Sequence, residues 1–154
     1  MGKTICVCLC HNLFSTIFFT NKKSYAMELV KDAISWFEIP VSDFERAKTF
    51  YQKIFDYEMP VEDMGHIRMG ILPHSREEGG VGGAICYGEE GYAPSSTGTK
   101  VYLNGGADLN VVANRIAGAG GTVVLPKTEI APGMGHMAYF QDSEGNMVGL
   151  YSAN

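Results

Sequence analysis

An apolar helical stripe occurs twice in this chain, 65 residues apart. Each copy places apolar residues at positions i, i+3 and i+7 of an amphipathic helix, first at Phe44, Ala47 and Tyr51 and again at Leu109, Val112 and Ile116. Strand-like segments flank both copies in the same order. Unrelated amphipathic helices often share this spacing, but a matching order of flanking strands is not expected of them. The repeat therefore indicates an internal duplication.

Each half of the duplication is predicted to be a βαβββ module. The first has a strand at 34–41, a helix that begins after the capping residues Ser42 and Asp43 and runs to Phe55, and strands at 57–62, 66–72 and 80–87. The second has a strand at 100–104, a helix at 108–117, and strands at 122–125, 136–141 and 147–151. We therefore predict an α+β domain over 27–154, with modules at about 34–89 and 98–152.

Charge and cysteine content exclude some functions. The 154 residues include 12 lysines and arginines and 17 acidic residues, for a net charge of -5, with no basic stripe that would bind nucleic acid. Three of the four cysteines lie in the first 26 residues, which leaves only Cys86 in the predicted domain. A disulfide framework is excluded for that domain, so a reducing, cytoplasmic location is expected.

Residues 1–26 form an atypical N-terminal extension. The apolar run 5–19 has the outline of a signal peptide, but His11 interrupts it and Lys22 follows it. It is shorter than the roughly 20 residues that span a bilayer, so we expect no transmembrane helix. The cysteines and histidine of 6–11 are of the type that binds zinc or copper, but no second cluster completes such a site. Translation that begins at Met27, where the composition changes abruptly, is the favoured interpretation, and a signal-like segment is the alternative.

Two motifs at opposite ends of the predicted domain resemble one known superfamily. Residues 41–51, VSDFERAKTFY, are similar to the opening strand and helix of glyoxalase-like proteins. Residues 138–150, AYFQDSEGNMVGL, are similar to the closing hairpin of the same proteins, usually written F-x-D-P-x-G-N-x-[IV]-E-L. Over about 34–152 the chain thus resembles the glyoxalase/bleomycin-resistance/extradiol-dioxygenase (vicinal oxygen chelate) superfamily. The resemblance implies two modules that form a cupped mixed sheet.

The metal-using members place a His or Glu on the first strand of each module and a Glu on the last strand of each. Alignment of the motifs puts Trp36, Lys100 and Gly149 at the first, third and fourth ligand positions, and the second position falls within 81–87, where Cys86 is the nearest to a ligand. Indole has no free lone pair, an ammonium group repels a cation, and glycine has no side chain. We therefore expect no cofactor, with a divalent metal as the alternative.

The resemblance also implies which side chains face the cup. Strand alternation turns inward the four residues that we predict to bind a ligand, namely Trp36, Glu38, Lys100 and Tyr102. An ion pair between Glu38 and Lys100 across the cup, with the lysine in place of the missing metal, is one expectation. A structural ion pair or two solvated rim residues is the other.

Three residues are candidates for moving a proton. Glu38 with His136 or Tyr139 is the arrangement that proton transfer next to a carbonyl needs. A lone histidine in a strand is also compatible with a simple packing role. His66 with Arg68 is an alternative polar pair, and His74, in the polar loop after the third strand, is expected to be solvated.

Two functions remain from the sequence. One is a protein that binds a small organic molecule in the cup without the usual metal. The alternative is an enzyme of lyase or isomerase type, acting on a small carbonyl or thiol-conjugated substrate and distinct from glyoxalase I. Related two-module chains complete their pocket across a subunit interface, so either function implies a homodimer. A scaffold without a ligand is a third possibility.

Overall fold

A computed structural model describes residues 30–88 and 91–154 of the chain. The chain divides into two units, Met1–Lys31 and Asp32–Asn154, and the description below concerns the second unit. The predictions for residues 1–26 lie outside the described residues. Within those residues no helix has both the length and the apolar character needed to cross a membrane.

The order βαβββ is confirmed in both halves. Module 1 consists of β1 (Trp36–Pro40), α1 (Phe44–Phe55), β2 (Val61–Asp63), β3 (Ile67–Ile71) and β4 (Gly82–Gly88). Module 2 consists of β5 (Tyr102–Asn104), α2 (Asn110–Ala119), β6 (Thr122–Glu129), β7 (His136–Gln141) and β8 (Met147–Ser152). The largest departures from prediction are β2, which begins four residues later than Tyr57, and β6, which continues four residues beyond Leu125. Register shifts in its pairing with β7 accommodate Pro126, which an edge strand tolerates.

The two sheets have the same topology, as a duplication requires. Their strand orders are β1-β4-β3-β2 and β5-β8-β7-β6. In each sheet the first strand is parallel to the last strand of its module, and the other pairs are antiparallel. The predicted mixed α+β architecture is thus confirmed as two four-stranded sheets, each with an edge strand, β1 or β5, that begins its module.

Local sequence signals set the ends of both helices. The side chain of Asp43 caps α1 by accepting the backbone N–H of Arg46 at 3.0 Å, and α1 ends at Asp56 in the left-handed region. Helix α2 begins at Asn110, two residues later than predicted, because Asp108 accepts the N–H of Asn110 and Leu109 occupies the cap. Gly120, with φ of 100°, ends α2.

One apolar core lies between the helices and the sheet faces that they cover. All six residues of the repeated stripe are buried there, and Phe50 of α1 contacts Phe140 of β7 with ring centroids 6.0 Å apart. Neither of the two helices in 30–88 and 91–154 covers the opposite faces of the sheets. We call these the open face of module 1, which includes Trp36, Glu38 and Cys86, and the open face of module 2, which includes Tyr102, Tyr139 and Gly149.

Candidate functional site

The open face of module 1 carries a small apolar cluster and one acid. Trp36 and Tyr92 pack against a small buried cluster formed by Ile67, Ala84 and Cys86. Alternation along β1 places Ile39 in the core and turns Glu38 to the open face, where it is exposed. The hydroxyl of Tyr92 donates to a carboxylate oxygen of Glu38 at 2.7 Å. A residue from the segment between the modules therefore orients the acid.

The same contacts hold two titratable groups in their neutral forms. The hydrogen bond to Glu38 raises the pKa of Tyr92 to about 12. Burial, with a smaller contribution from the charge of Glu38, raises the pKa of Cys86 to about 12. A buried thiol that keeps its proton is neither a good nucleophile nor a good metal ligand.

The open face of module 2 carries two tyrosines and a lysine. The hydroxyls of Tyr102 and Tyr139 form a short hydrogen bond, and their ring centroids are 5.7 Å apart. The ammonium group of Lys100 lies 4.6 Å from the centroid of the Tyr139 ring, within the range of a cation–π contact. The hydrogen bond to Tyr139 raises the pKa of Tyr102, so its hydroxyl remains protonated at neutral pH.

Two cavities adjoin these faces. The larger, of about 360 Å³, is bounded by both edge strands, and most of its lining is apolar, including Phe37, Phe55, Leu72, Val81, Val101 and Leu103. Its polar lining residues are His74, Thr99, Lys100, Tyr102 and Asn104. The smaller cavity, of about 240 Å³, is lined by residues of β1, β8 and the segment between the modules, including Glu38, Ser95 and Asn146.

The four predicted ligand-binding residues do not share a cavity. Lys100 and Tyr102 line the larger cavity, Glu38 lines the smaller one, and Trp36 lines neither. Within the described part of the chain Glu38 and Lys100 form no ion pair, so the expected pairing across the cup is wrong. Tyr92 bonds Glu38 instead, and Lys100 lies over Tyr139.

The candidate residues of β7 lie on opposite faces of the sheet. His136 shares a face with Ala138 and Phe140, which are in the core, whereas Tyr139 points to the open face. The Nδ1 atom of His136 is buried without a hydrogen-bond partner in the described residues. His136 therefore does not join Glu38 on an open face, and the arrangement expected for those two residues is not formed.

The other polar candidates are also placed differently from expectation. Arg68 points to the helix side, where it lies 4.2 Å from the Phe44 ring centroid and pairs with Glu45 at 2.8 Å, so it forms no site with His66. His74 is half-buried rather than solvated. Its ring meets the edge of Trp36, and its Nδ1 lies 3.0 Å from the carbonyl of Leu72.

Sequence reasoning missed Tyr92. It stands in a segment of Gly, Pro, Ser and Thr between the modules, which is typical of a linker. An aromatic residue in such a segment, Gly91-Tyr92-Ala93-Pro94, was the available signal that this linker packs against something.

Residues 33–150 match the family model described as the Glyoxalase/Bleomycin resistance protein/Dioxygenase superfamily. The chain belongs to this superfamily. No curated protein matches the sequence of the chain. Superfamily membership thus rests on the family match and on the architecture.

Solved structures of the superfamily share the fold at low sequence identity. A glyoxalase I mutant from Zea mays is 19% identical over 77% of this chain and 44% of its own, with a TM-score of 0.60. TnmS3, an antibiotic binding protein from Streptomyces sp. CB03234, is 22% identical over 82% of this chain and 100% of its own, with a TM-score of 0.57. The fosfomycin resistance protein FosX from Listeria monocytogenes is 17% identical over 81% of this chain and 94% of its own, with a TM-score of 0.54.

The residues that the motif alignment predicts for the superfamily's metal positions do not fit a divalent cation. A Cβ atom added at Gly149 would lie 2.6 Å from the Tyr102 ring, so the tyrosine occupies the space that a glutamate side chain at this position would need. Lys100 brings a positive charge to the same face. No group of three or more His, Cys, Asp or Glu side chains suited to a metal occurs in 30–88 and 91–154.

Proposed function

We propose that this superfamily member binds a small organic molecule in the larger cavity without the usual metal. The observation that carries the proposal is a cavity of about 360 Å³ with an apolar lining and a few polar groups at Lys100, Tyr102 and Asn104. Small-molecule sites have this size and composition. Proteins of the same fold include one described as antibiotic binding.

Catalysis on a carbonyl substrate is less well supported by this geometry. General acid–base chemistry needs the base within hydrogen-bond reach of the reacting group. The candidate base Glu38 lines one cavity, whereas Lys100, the group suited to polarising a carbonyl, lines the other. Glu38 also uses one oxygen to accept the hydroxyl of Tyr92. These separations favour binding over turnover.

A ligand screen tests the proposal. Aromatic drugs, 2-oxo acids and thiol conjugates are screened by thermal shift, and hits are titrated calorimetrically with and without EDTA. We expect hits whose Kd is unchanged by EDTA and at least about tenfold weaker in Val81→Trp, because the larger side chain fills the cavity and excludes ligand atoms that would otherwise be buried. Val111→Trp is the matched control, since Val111 is 57% exposed on α2, away from the cavity lining.

Three results would contradict the proposal. Binding that EDTA abolishes and Mn²⁺, Zn²⁺ or Ni²⁺ restores would show that a metal is required. Equal affinity of Val81→Trp and the unmodified chain would place the ligand outside the larger cavity. Conversion of a hit to product would establish the enzyme instead.

The proposed assembly is a homodimer that covers the open face of module 2. Tyr102 of β5 and Tyr151 of β8 are 45% and 40% exposed on this face, and Val124 of β6, at the other edge of the same sheet, is 54% exposed. Large exposed apolar side chains on one sheet favour a protein interface.

Light scattering during size-exclusion chromatography measures the assembly. We expect twice the mass of the chain, and a shift towards the monomer in Val124→Glu but not in Val111→Glu, because only the former places a charge in the interface. A monomer at all concentrations up to about 100 μM, far above the Kd of a stable dimer, would contradict this assembly.

A further inference from the structure

We infer that the ligand of the larger cavity is a monoanion, a carboxylate on an apolar ring or chain, whose charged group binds at Lys100, Tyr102 and Tyr139. This inference rests on the proposed function and adds the chemical class of the ligand. Lys100 and Tyr102 both line the larger cavity. Both also contact Tyr139 on the open face of module 2, so the cavity and this group of three polar side chains adjoin each other.

The charge of the site is the first argument. Among the described residues that line the cavity, Lys100 is the only permanently charged one, and none is Asp or Glu. No carboxylate in the described residues forms an ion pair with it, and its ammonium group lies over the face of the Tyr139 ring. Acidic residues outnumber basic ones by 17 to 12 in the chain, so a lysine without an acidic partner is not explained by a shortage of acids. An unneutralised cation beside an apolar cavity favours an anionic ligand with an apolar body.

The proton count of the tyrosine pair is the second argument. Two phenolic hydroxyls carry two donor protons, and the hydrogen bond between Tyr102 and Tyr139 uses one of them. The second proton remains available to a ligand. The ammonium group of Lys100 has three N–H donors, and its contact with the Tyr139 ring leaves at least one of them for a ligand. One lysine N–H and one tyrosine O–H match the two oxygens of a carboxylate.

The single charge decides between a carboxylate and a phosphate. A carboxylate balances the one positive charge of Lys100, whereas a phosphate monoester brings nearly two negative charges. No second lysine or arginine is found among the described lining residues to balance the other charge, which would enter a chain whose net charge is already -5. We therefore expect the carboxylate to bind more tightly than a phosphate ester of the same body.

Three naphthyl compounds test the inference by calorimetry on the full chain. They are 2-naphthoate, its neutral amide 2-naphthamide and the dianionic ester 2-naphthyl phosphate, and they share one apolar body. We expect 2-naphthoate to bind about 10- to 100-fold more tightly than 2-naphthamide, the size of a hydrogen-bonded charge contact. Lys100→Met should remove this preference and Lys100→Arg should retain most of it. The double variant Tyr102→Phe with Tyr139→Phe should weaken 2-naphthoate by about fivefold, because a neutral hydroxyl donor is lost.

Lys53→Met is the matched control, because Lys53 is an exposed lysine on α1 that is absent from the lining of the larger cavity. Circular dichroism melting of each variant confirms that it folds. Equal affinity for the acid and the amide, unchanged by Lys100→Met, would overturn the inference and leave the proposed cavity in place. Tighter binding of the phosphate than of the carboxylate would also overturn it. Failure of all three compounds to bind would count against both the inference and the proposed function.

Discussion

Replacing Asp142 with Ala is expected to lower the free energy of unfolding by about 3 kcal/mol or more, because several donors lose a buried acceptor at once. Asp142 is 4% exposed. One of its oxygens accepts the hydroxyl of Tyr51 at 2.8 Å and the side-chain amide of Asn146 at 2.9 Å. The other accepts the backbone N–H groups of Glu144 and Asn146, each at 2.9 Å.

The hydroxyl of Tyr51 is the donor whose loss of a partner matters most. Tyr51 is completely buried on α1. Burial and the charge of Asp142 raise the pKa of this tyrosine well above its ordinary value, so it stays protonated and must donate or remain unpaired. Without Asp142 the hydroxyl is left in an apolar core, where an unsatisfied group costs about 1–3 kcal/mol.

Urea unfolding, followed by the fluorescence of Trp36, the single tryptophan, measures the effect. The control is Glu62→Ala, an exposed acid on the edge strand β2, for which we expect a change within about 0.5 kcal/mol. A double-mutant cycle with Tyr51→Phe isolates the pair, and we expect Tyr51→Phe to be clearly less destabilising in the Asp142→Ala background. Additive effects would refute the coupling between the two modules at this bond.

Replacing Glu144 with Gln is expected to lower the free energy of unfolding by about 2 kcal/mol at pH 7, with a difference that shrinks in acid. The Glu144 carboxylate is fully buried beside the start of α1. It accepts the backbone N–H groups of Ser42 and Asp43 at 3.0 and 2.9 Å, the Ser42 hydroxyl at 2.8 Å, and two guanidinium nitrogens of Arg46 at 2.7 and 3.0 Å. A glutamine retains the shape but loses the charge and one acceptor oxygen.

The pH dependence follows from the direction of the pKa shift. Burial disfavours the charged form of Glu144, but the hydrogen bonds from Arg46, Ser42 and the Asp43 backbone outweigh it and lower the pKa from 4.5 to about 2. The unfolded chain thus takes up the proton at a higher pH than the folded chain. The stabilisation is complete above about pH 5 and is lost as the pH falls towards 2.

The measurement compares the unfolding free energies of Glu144→Gln and the unmodified chain between pH 7 and pH 2. Because other acids titrate in both proteins, only the difference between the two reports on Glu144. Glu58→Gln, an exposed acid just after α1, serves as the control and should give no pH-dependent difference. A difference that stays constant down to pH 2 would contradict the assigned role of the carboxylate.

Asp142 and Glu144 connect the closing hairpin of module 2 to module 1. Glu144 binds the start of α1 and Asp142 binds its middle, while Asn146 donates to the carbonyl of Pro40 at 2.8 Å and accepts the N–H of Ser95 at 2.9 Å. One hairpin of module 2 is therefore hydrogen-bonded to helix α1 and strand β1 of module 1, and to the segment that connects the two modules.

The motif residues could be predicted from the sequence, but their long-range partners could not. The hairpin 138–150 and the helix start at Ser42 and Asp43 were identified separately as similar to the two ends of the superfamily fold. Nothing in either segment indicates that Glu144 reaches across about 100 residues to the helix. The face of His136, in contrast, could have been deduced, since it lies three positions before Tyr139 and side chains in a strand alternate between the two faces.

The sequence by itself determined the duplication, the order of the elements in each module and the residue types at three of the aligned metal positions. Helical spacing, strand alternation and turn residues are local properties, and each can be read within a few residues. Only the tertiary structure decided that Lys100 and Tyr102 line one cavity, that Glu38 lines another with Tyr92 as its partner, and that the Tyr102 ring fills the space beside Gly149. Alternation fixes the side of a strand on which a residue lies, but the contacts across the gap between two sheet edges depend on how the modules pack.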